Sequence, residues 1–167
     1  YRGRGDLYLL IQPAPKSVLS QTAIDSLRAS AVSSYYESGG SVTRGLRAAL
    51  LAGNSWLYEQ NMRMDLDHRV ALGLHYAVLR ENDVYLGQIG PALATWIHGA
   101  AVDYYPRDSI WLRSDTPTLY DLDREPPAGW RREVEPDLFH LTLSPGDTLV
   151  LASPWLHRLV APQALQQ

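Results

Sequence analysis

Leu141–Leu156 reads LTLSPGDTLVLASPWL. Two apolar runs flank Ser144-Pro145-Gly146-Asp147. Pro-Gly-Asp is strong turn chemistry, because proline presets φ, glycine accepts positive φ and aspartate bonds to its own backbone. The stretch therefore predicts a hairpin between Leu138–Leu143 and Thr148–Ala152. The second run has the makeup of a buried strand and stops at Ser153 and Pro154. A strand ending in a small polar residue is a common perch for a catalytic group. Here Pro154 and Trp155 follow the serine, and neither side chain binds a metal or moves a proton.

The rest of the chain supplies partners for that strand. Leu7–Gln12, LYLLIQ, predicts a buried strand that Pro13 and Pro15 end, since neither proline donates to a ladder. Ser17 is the predicted cap of a helix to Glu37, whose apolar residues Ile24, Leu27, Ala31 and Tyr35 recur every three or four positions. Glycines in ESGG close it. A second helix is predicted from about Ser41 to Asn61, with Leu46, Ala49, Leu50, Gly53 and Leu57 on one face. The short connection makes the two an antiparallel pair.

Strand patterns follow. Val70–Leu79 and Val84–Ile89 are expected to pair across RENDV. Ala92–Ile97 and Ala100–Tyr104 are expected to continue an antiparallel meander, with a break at Gly90-Pro91. Residues 106–136 read as a long irregular loop with at most a short helical turn. A strand, a helical pair, a meander and a hairpin make an α+β chain with a helical layer on antiparallel sheet.

Composition narrows the classes of function. A chain of 167 residues, 46% hydrophobic and 20% charged, is expected to form one domain over 1–167. Its 15 basic residues are scattered and its net charge is -3, which argues against nucleic acid or an anionic membrane as partner. Without cysteine, thiolate chemistry and cysteine zinc sites are excluded, and the composition fits a cytoplasmic protein. No apolar run approaches the roughly twenty residues of a membrane-spanning helix.

The order of these elements and four local signatures resemble the protein phosphatase 2C (PPM) family. LYLLIQPAPKSVLSQTAIDSLRA is similar to its strand, Asp-Gly, glycine-rich turn and first long helix. GLRAALLAGNSWLYEQN is similar to its second helix, and VYLGQIGPALATWIHG to its Val-Gly-Asp-Ser-Arg segment and following strand. LTLSPGDTLVLASPWL is similar to its strand, Pro-Gly-Asp, second strand and Ser-Asp-Gly. The resemblance implies an α-β-β-α sandwich, truncated here. It also implies serine/threonine phosphatase chemistry on two divalent cations held by aspartates, with a bridging water as nucleophile.

Carried over position by position, that chemistry finds no carboxylates. Gln12-Pro13 stands for Asp-Gly, Gly90-Pro91-Ala92-Leu93 for Gly-Asp-Ser-Arg, and Ser153-Pro154-Trp155 for Ser-Asp-Gly. Ala14-Pro15-Lys16 replaces the glycine-rich turn. The family's early Glu-Asp and phosphate-binding arginine precede this chain unless Arg2 or Arg4 stands in, and its final aspartate lies past Gln167. Two adjacent divalent cations repel each other without anionic ligands. Gln12, Pro13, Pro91, Ser153, Pro154 and Trp155 are thus expected to be a degenerate former site, with no catalytic residue, metal or cofactor. The implied function is that of a pseudophosphatase, a regulatory or scaffolding module that binds a protein such as a kinase or phosphoprotein, in a homo-oligomer or larger assembly.

Other chemistry is thinner. Asp65, Asp67 and His68 in MDLDHR, with His75 nearby, could ligate a hard metal, as could Asp103. Relocated ligands of this kind, or ligands outside the chain, are what an alternative reading as a divergent metal-dependent phosphatase requires. The same residues read more simply as a solvated turn. Asp121–Pro127 lacks the glycine and terminal glutamate of a calcium loop. His98, His140 and His157 are dispersed, and Ser153 lacks the Gly-x-Ser-x-Gly elbow.

Overall fold

The structure is a computed structural model that describes residues 3–14, 17–113 and 118–160. Strand β1 (Asp6–Pro13) leads to helices α1 (Gln21–Glu37) and α2 (Val42–Asn61). After a single 3-10 turn at Leu66–His68 come β2 (Leu72–Arg80), β3 (Asp83–Ile89), β4 (Leu93–His98) and β5 (Ala101–Tyr105). Short helices α3 (Ile110–Arg113) and α4 (Leu119–Arg124) precede β6 (Asp137–Thr142), β7 (Thr148–Ala152) and the short α5 (Leu156–Leu159). None of the helices among the described residues is long and apolar enough to cross a membrane.

Both long helices begin where a serine hydroxyl accepts a first-turn N–H, an otherwise orphaned donor. Ser20 accepts from Ala23 and Ser41 from Arg44, each at 3.2 Å. Ser20, not Ser17, is therefore the cap of α1. Ser17 instead accepts from the Ala71 N–H at 3.1 Å and ties the β1–α1 connection to the start of β2. Arg4 reinforces the α1–α2 corner by donating to the Tyr35 and Gly40 carbonyls.

The strands form two antiparallel sheets, β1-β2-β3-β6 and β5-β4-β7. The expected meander breaks after β3, because Gly90, at φ 74°, turns the chain out of the first sheet and β4 begins the second. The expected hairpin across Ser-Pro-Gly-Asp does not form either. Strand β6 pairs with β3 (Gln88 opposite Asp137), while β7 pairs with β4 (Leu93 opposite Ala152). The connection between them steps from one sheet to the other, and facing sheets lie only ~10 Å apart. Residues 106–136 are more ordered than expected. Besides α3 and α4 they hold an antiparallel bridge between Leu72 and Ala128.

Two apolar layers join the elements. Leu27, Ala31 and Tyr35 of α1 and Leu46, Leu50 and Leu57 of α2 pack with Leu72, Leu74, Tyr76 and Val78 of β2. Each buried leucine there contributes about 2 kcal/mol. On the other face of that sheet Ala77, Val84, Leu86 and Leu141 meet Ala94, with Trp96, Leu149 and Leu151 alongside. The layers run helix pair, first sheet, second sheet.

Candidate functional site

Antiparallel register decides which strand ends share one end of the sandwich. Gln12 and Pro13 end β1 opposite Gly73 and Leu72, which begin β2. In the second sheet Pro91 and Ala92 precede Leu93, while Ser153 and Pro154 follow its partner Ala152. Contact between the two sets is close, since a Cβ added to Gly73 would lie 2.2 Å from the Pro91 carbonyl oxygen. All six positions singled out in the sequence therefore gather at one end.

Their chemistry is sparse. Pro91 and Pro154 are buried, Gln12, Ser153 and Trp155 are half-buried, and Pro13 is exposed. The Ser153 hydroxyl accepts from the Trp155 N–H at 3.1 Å, and its carbonyl accepts from the Leu156 N–H at 3.0 Å. This serine opens a turn. Beside this end a groove of about 530 Å³ lies between the start of α1 and the end of α2. Val18, Trp56, Leu57, Met64 and Val70 line it, and Val18 is 83% exposed.

The remaining sequence candidates lie apart. Asp65, Asp67 and His68 are exposed around the 3-10 turn. Asp103 accepts from Arg107 at 2.8 Å and contacts His98 Nε2 at 2.9 Å. The His98 contact, followed by the Arg107 charge, holds its carboxyl below the usual range. His140 is exposed and meets Asp83 at 2.9 Å. Arg2, Pro15, Lys16 and the side chain of His157 lie outside the described residues. Among the described residues no three His, Asp or Glu side chains come together as a metal would need.

Sequence reading missed a second polar region. His75, Gln88 and Asp137 stand side by side across β2, β3 and β6, on the face that meets the second sheet. His75 and Gln88 are each 1% exposed, and neither His75 ring nitrogen nor Gln88 Oε1 has a hydrogen-bond partner among the described residues. Burial alone lowers the His75 pKa from 6.5 to about 3, so the ring is neutral. At the open side of the row lies a cavity of about 270 Å³, walled by Gln88, Arg124, Glu125, Glu135 and Asp137. Burial pushes the Glu125 carboxyl up, against hydrogen bonds from the Ser109 hydroxyl (2.6 Å) and the Ile110 N–H (2.8 Å). Burial, then the Glu135 charge, pushes Asp137 up. The available signal was a polar residue set inside two otherwise apolar runs, LGLHYAVL and VYLGQI.

The sequence matches no family model and no curated protein. Solved structures do match in fold. PppA, a key regulatory component of the type VI secretion system in Pseudomonas aeruginosa, aligns with a TM-score of 0.65 at 16% identity, over 96% of this chain and 70% of that one. The serine/threonine phosphatase PstP/Ppp of Mycobacterium tuberculosis aligns with a TM-score of 0.65 at 20% identity, over 96% and 73%. The catalytic domain of PstP in complex with 2 manganese ions aligns with a TM-score of 0.62 at 19% identity, over 96% and 83%. The chain thus has the α+β fold of bacterial PPM-type serine/threonine phosphatases and spans about 70% of the length of PppA.

Proposed function

We propose that this chain works as one domain, a non-catalytic phosphatase-like module that binds another protein, such as a kinase or phosphoprotein. The observation that carries the reading is the donor set at the gathered strand ends. At the three positions where the resemblance calls for an aspartate stand Gln12, Pro91 and Pro154, one amide and two prolines. Hard divalent cations take anionic oxygens, and two of them side by side need several. These residues do not fit such a pair. The retained strand ends and the exposed apolar groove beside them support a binding role, since contiguous exposed apolar surface marks interaction sites. Among the described residues uncharged β7 lies at the edge of the second sheet, which supports self-association or membership of an assembly as a further mode.

Two measurements on the 167-residue chain test this. Calorimetric titration with manganese and a phosphopeptide hydrolysis assay are both expected to be blank. Micromolar manganese binding that disappears in an Asp65→Ala, Asp67→Ala double variant would overturn this reading, and phosphopeptide hydrolysis lost in the same variant would establish a divergent metal-dependent phosphatase.

A further inference from the structure

The cavity beside Gln88 carries a more specific inference. Its wall holds three carboxyl groups, yet among the described residues no three acidic or histidine side chains are close enough to share one metal ion. Glu135 is already committed to Arg47 through two hydrogen bonds. The Asp137 carboxyl has no hydrogen bond or ion pair among the described residues, and Glu125 keeps lone pairs beyond the two donors it has. Behind them Gln88 is 1% exposed, and its Oε1 receives no donor. A buried acceptor left unmade costs about 1–3 kcal/mol, so a ligand that supplies a donor there is favoured.

We propose that this cavity takes the guanidinium group of an arginine on a partner protein. The acceptors come from separate elements, Gln88 on β3, Asp137 on β6 and Glu125 just past α4. Spread acceptors suit a flat group with five donors better than a compact ammonium or a single metal ion. Guanidinium is also the more weakly hydrated cation, so it loses less on entering a confined site. The internal competitor is Arg124, which shares the wall, although its charge is the weakest of the influences on Glu125.

The inference deepens the binding reading above and rests on it, but it is tested separately from hydrolysis. A blocked pentapeptide with a central arginine between glycines is titrated into the 167-residue chain, followed by amide chemical shifts. Its citrulline counterpart and free arginine are titrated in parallel. Saturable binding of the arginine peptide is expected, weakened about tenfold or more by citrulline or by Asp137→Asn. Gln88→Leu is expected to weaken it too, with the circular dichroism of both variants unchanged, and Arg124→Ala to strengthen it. Equal binding of the citrulline peptide, or unchanged affinity in folded Asp137→Asn, would overturn the guanidinium assignment. Free arginine binding as tightly as the peptide would overturn the assignment to a protein partner. A blank peptide titration with a blank phosphatase assay would remove this inference alone, whereas measured hydrolysis would remove the reading on which it rests.

Discussion

The side chain of Asn61 clamps Gly129 to the end of α2: its Nδ2 donates to the Gly129 carbonyl at 2.9 Å. The same Nδ2 donates to the Val70 carbonyl at 2.7 Å, and Oδ1 accepts from the Val70 N–H at 2.8 Å. Two turns earlier in α2, Asn54 Oδ1 accepts from the Gly129 N–H at 2.9 Å. Two buried amides thus hold the 128–132 segment against the helix. Asn61→Ala strands several buried backbone groups and is expected to lower stability by about 3 kcal/mol. Gly129→Ala adds strain at φ 81° and a Cβ only 2.4 Å from Leu57 Cγ. Its expected cost is about 2–4 kcal/mol. Urea denaturation checks both, and an unchanged midpoint would refute the clamp.

Stability is expected to depend on the protonation of His75. The unfolded chain takes up a proton near the ordinary pKa of 6.5, whereas the buried ring resists one down to about 3. Between those values the unfolded state binds more protons, so stability falls as pH falls. The loss is about 1.4 kcal/mol for each pH unit below 6.5, and nothing is lost above it. Chemical denaturation at pH 7 and pH 5 measures the drop, with His75→Leu expected to remove most of it. An identical drop in both proteins would assign it to other groups.

Gly45 sets how closely α1 and α2 approach. An added Cβ would lie 2.8 Å from two ring carbons of Tyr35. That ring is fully buried and its hydroxyl donates to the Arg4 carbonyl at 2.7 Å, so it cannot swing aside. Helix propensity favours Gly45→Ala by about 1 kcal/mol, while overpacking costs about 1–3 kcal/mol. A net destabilisation of about 1–2 kcal/mol is expected. A thermal midpoint that rises would show that the helices can part at little cost.

Asp147 joins the Ser-Pro-Gly-Asp turn to the second sheet. Its Oδ2 accepts from the Ser144 N–H at 2.8 Å and from Trp96 Nε1 at 3.2 Å. Asp147→Ala is expected to cost about 1–2 kcal/mol. Faster hydrogen exchange at the Trp96 indole N–H should accompany it, and unaltered exchange would mean that the pairing contributes little.

Local structure was legible in the sequence because its signals are local. The apolar spacing Ile24, Leu27, Ala31, Tyr35 reports one helix face, and Ser41 lies where the N-cap of α2 falls. Sheet membership was not legible, because alternation along a strand says which residues face inward but not which neighbour accepts the ladder. Pro-Gly-Asp fits a hairpin turn equally well in a connection that leaves β6 and β7 in different sheets. That Gln12, Pro13, Pro91 and Ser153–Trp155 form a former metal site was an expectation from the resemblance; the register itself shows only that these strand ends lie at one end of the sandwich. The row His75, Gln88, Asp137 was not legible, because its members are far apart in sequence and meet only through strand pairing. Asn54 and Asn61 were likewise overlooked, although asparagine on a buried helix face is itself a sign of a bonded partner.

The parting of β6 from β7 also bears on how the chain folds while it is being synthesised. The Thr142 hydroxyl reaches back 59 residues to Asp83 across β6 and β3, and Trp96 and Asp147 beside β4 and β7 are separated by 51. Each sheet therefore waits for its own late strand, and each waits through the closure of a long loop. While the ribosome has yet to deliver residue 137, β3 and β4 both offer bare edges to any other nascent chain. A chain stopped there would expose both edges at once, and such edges are templates for aggregation.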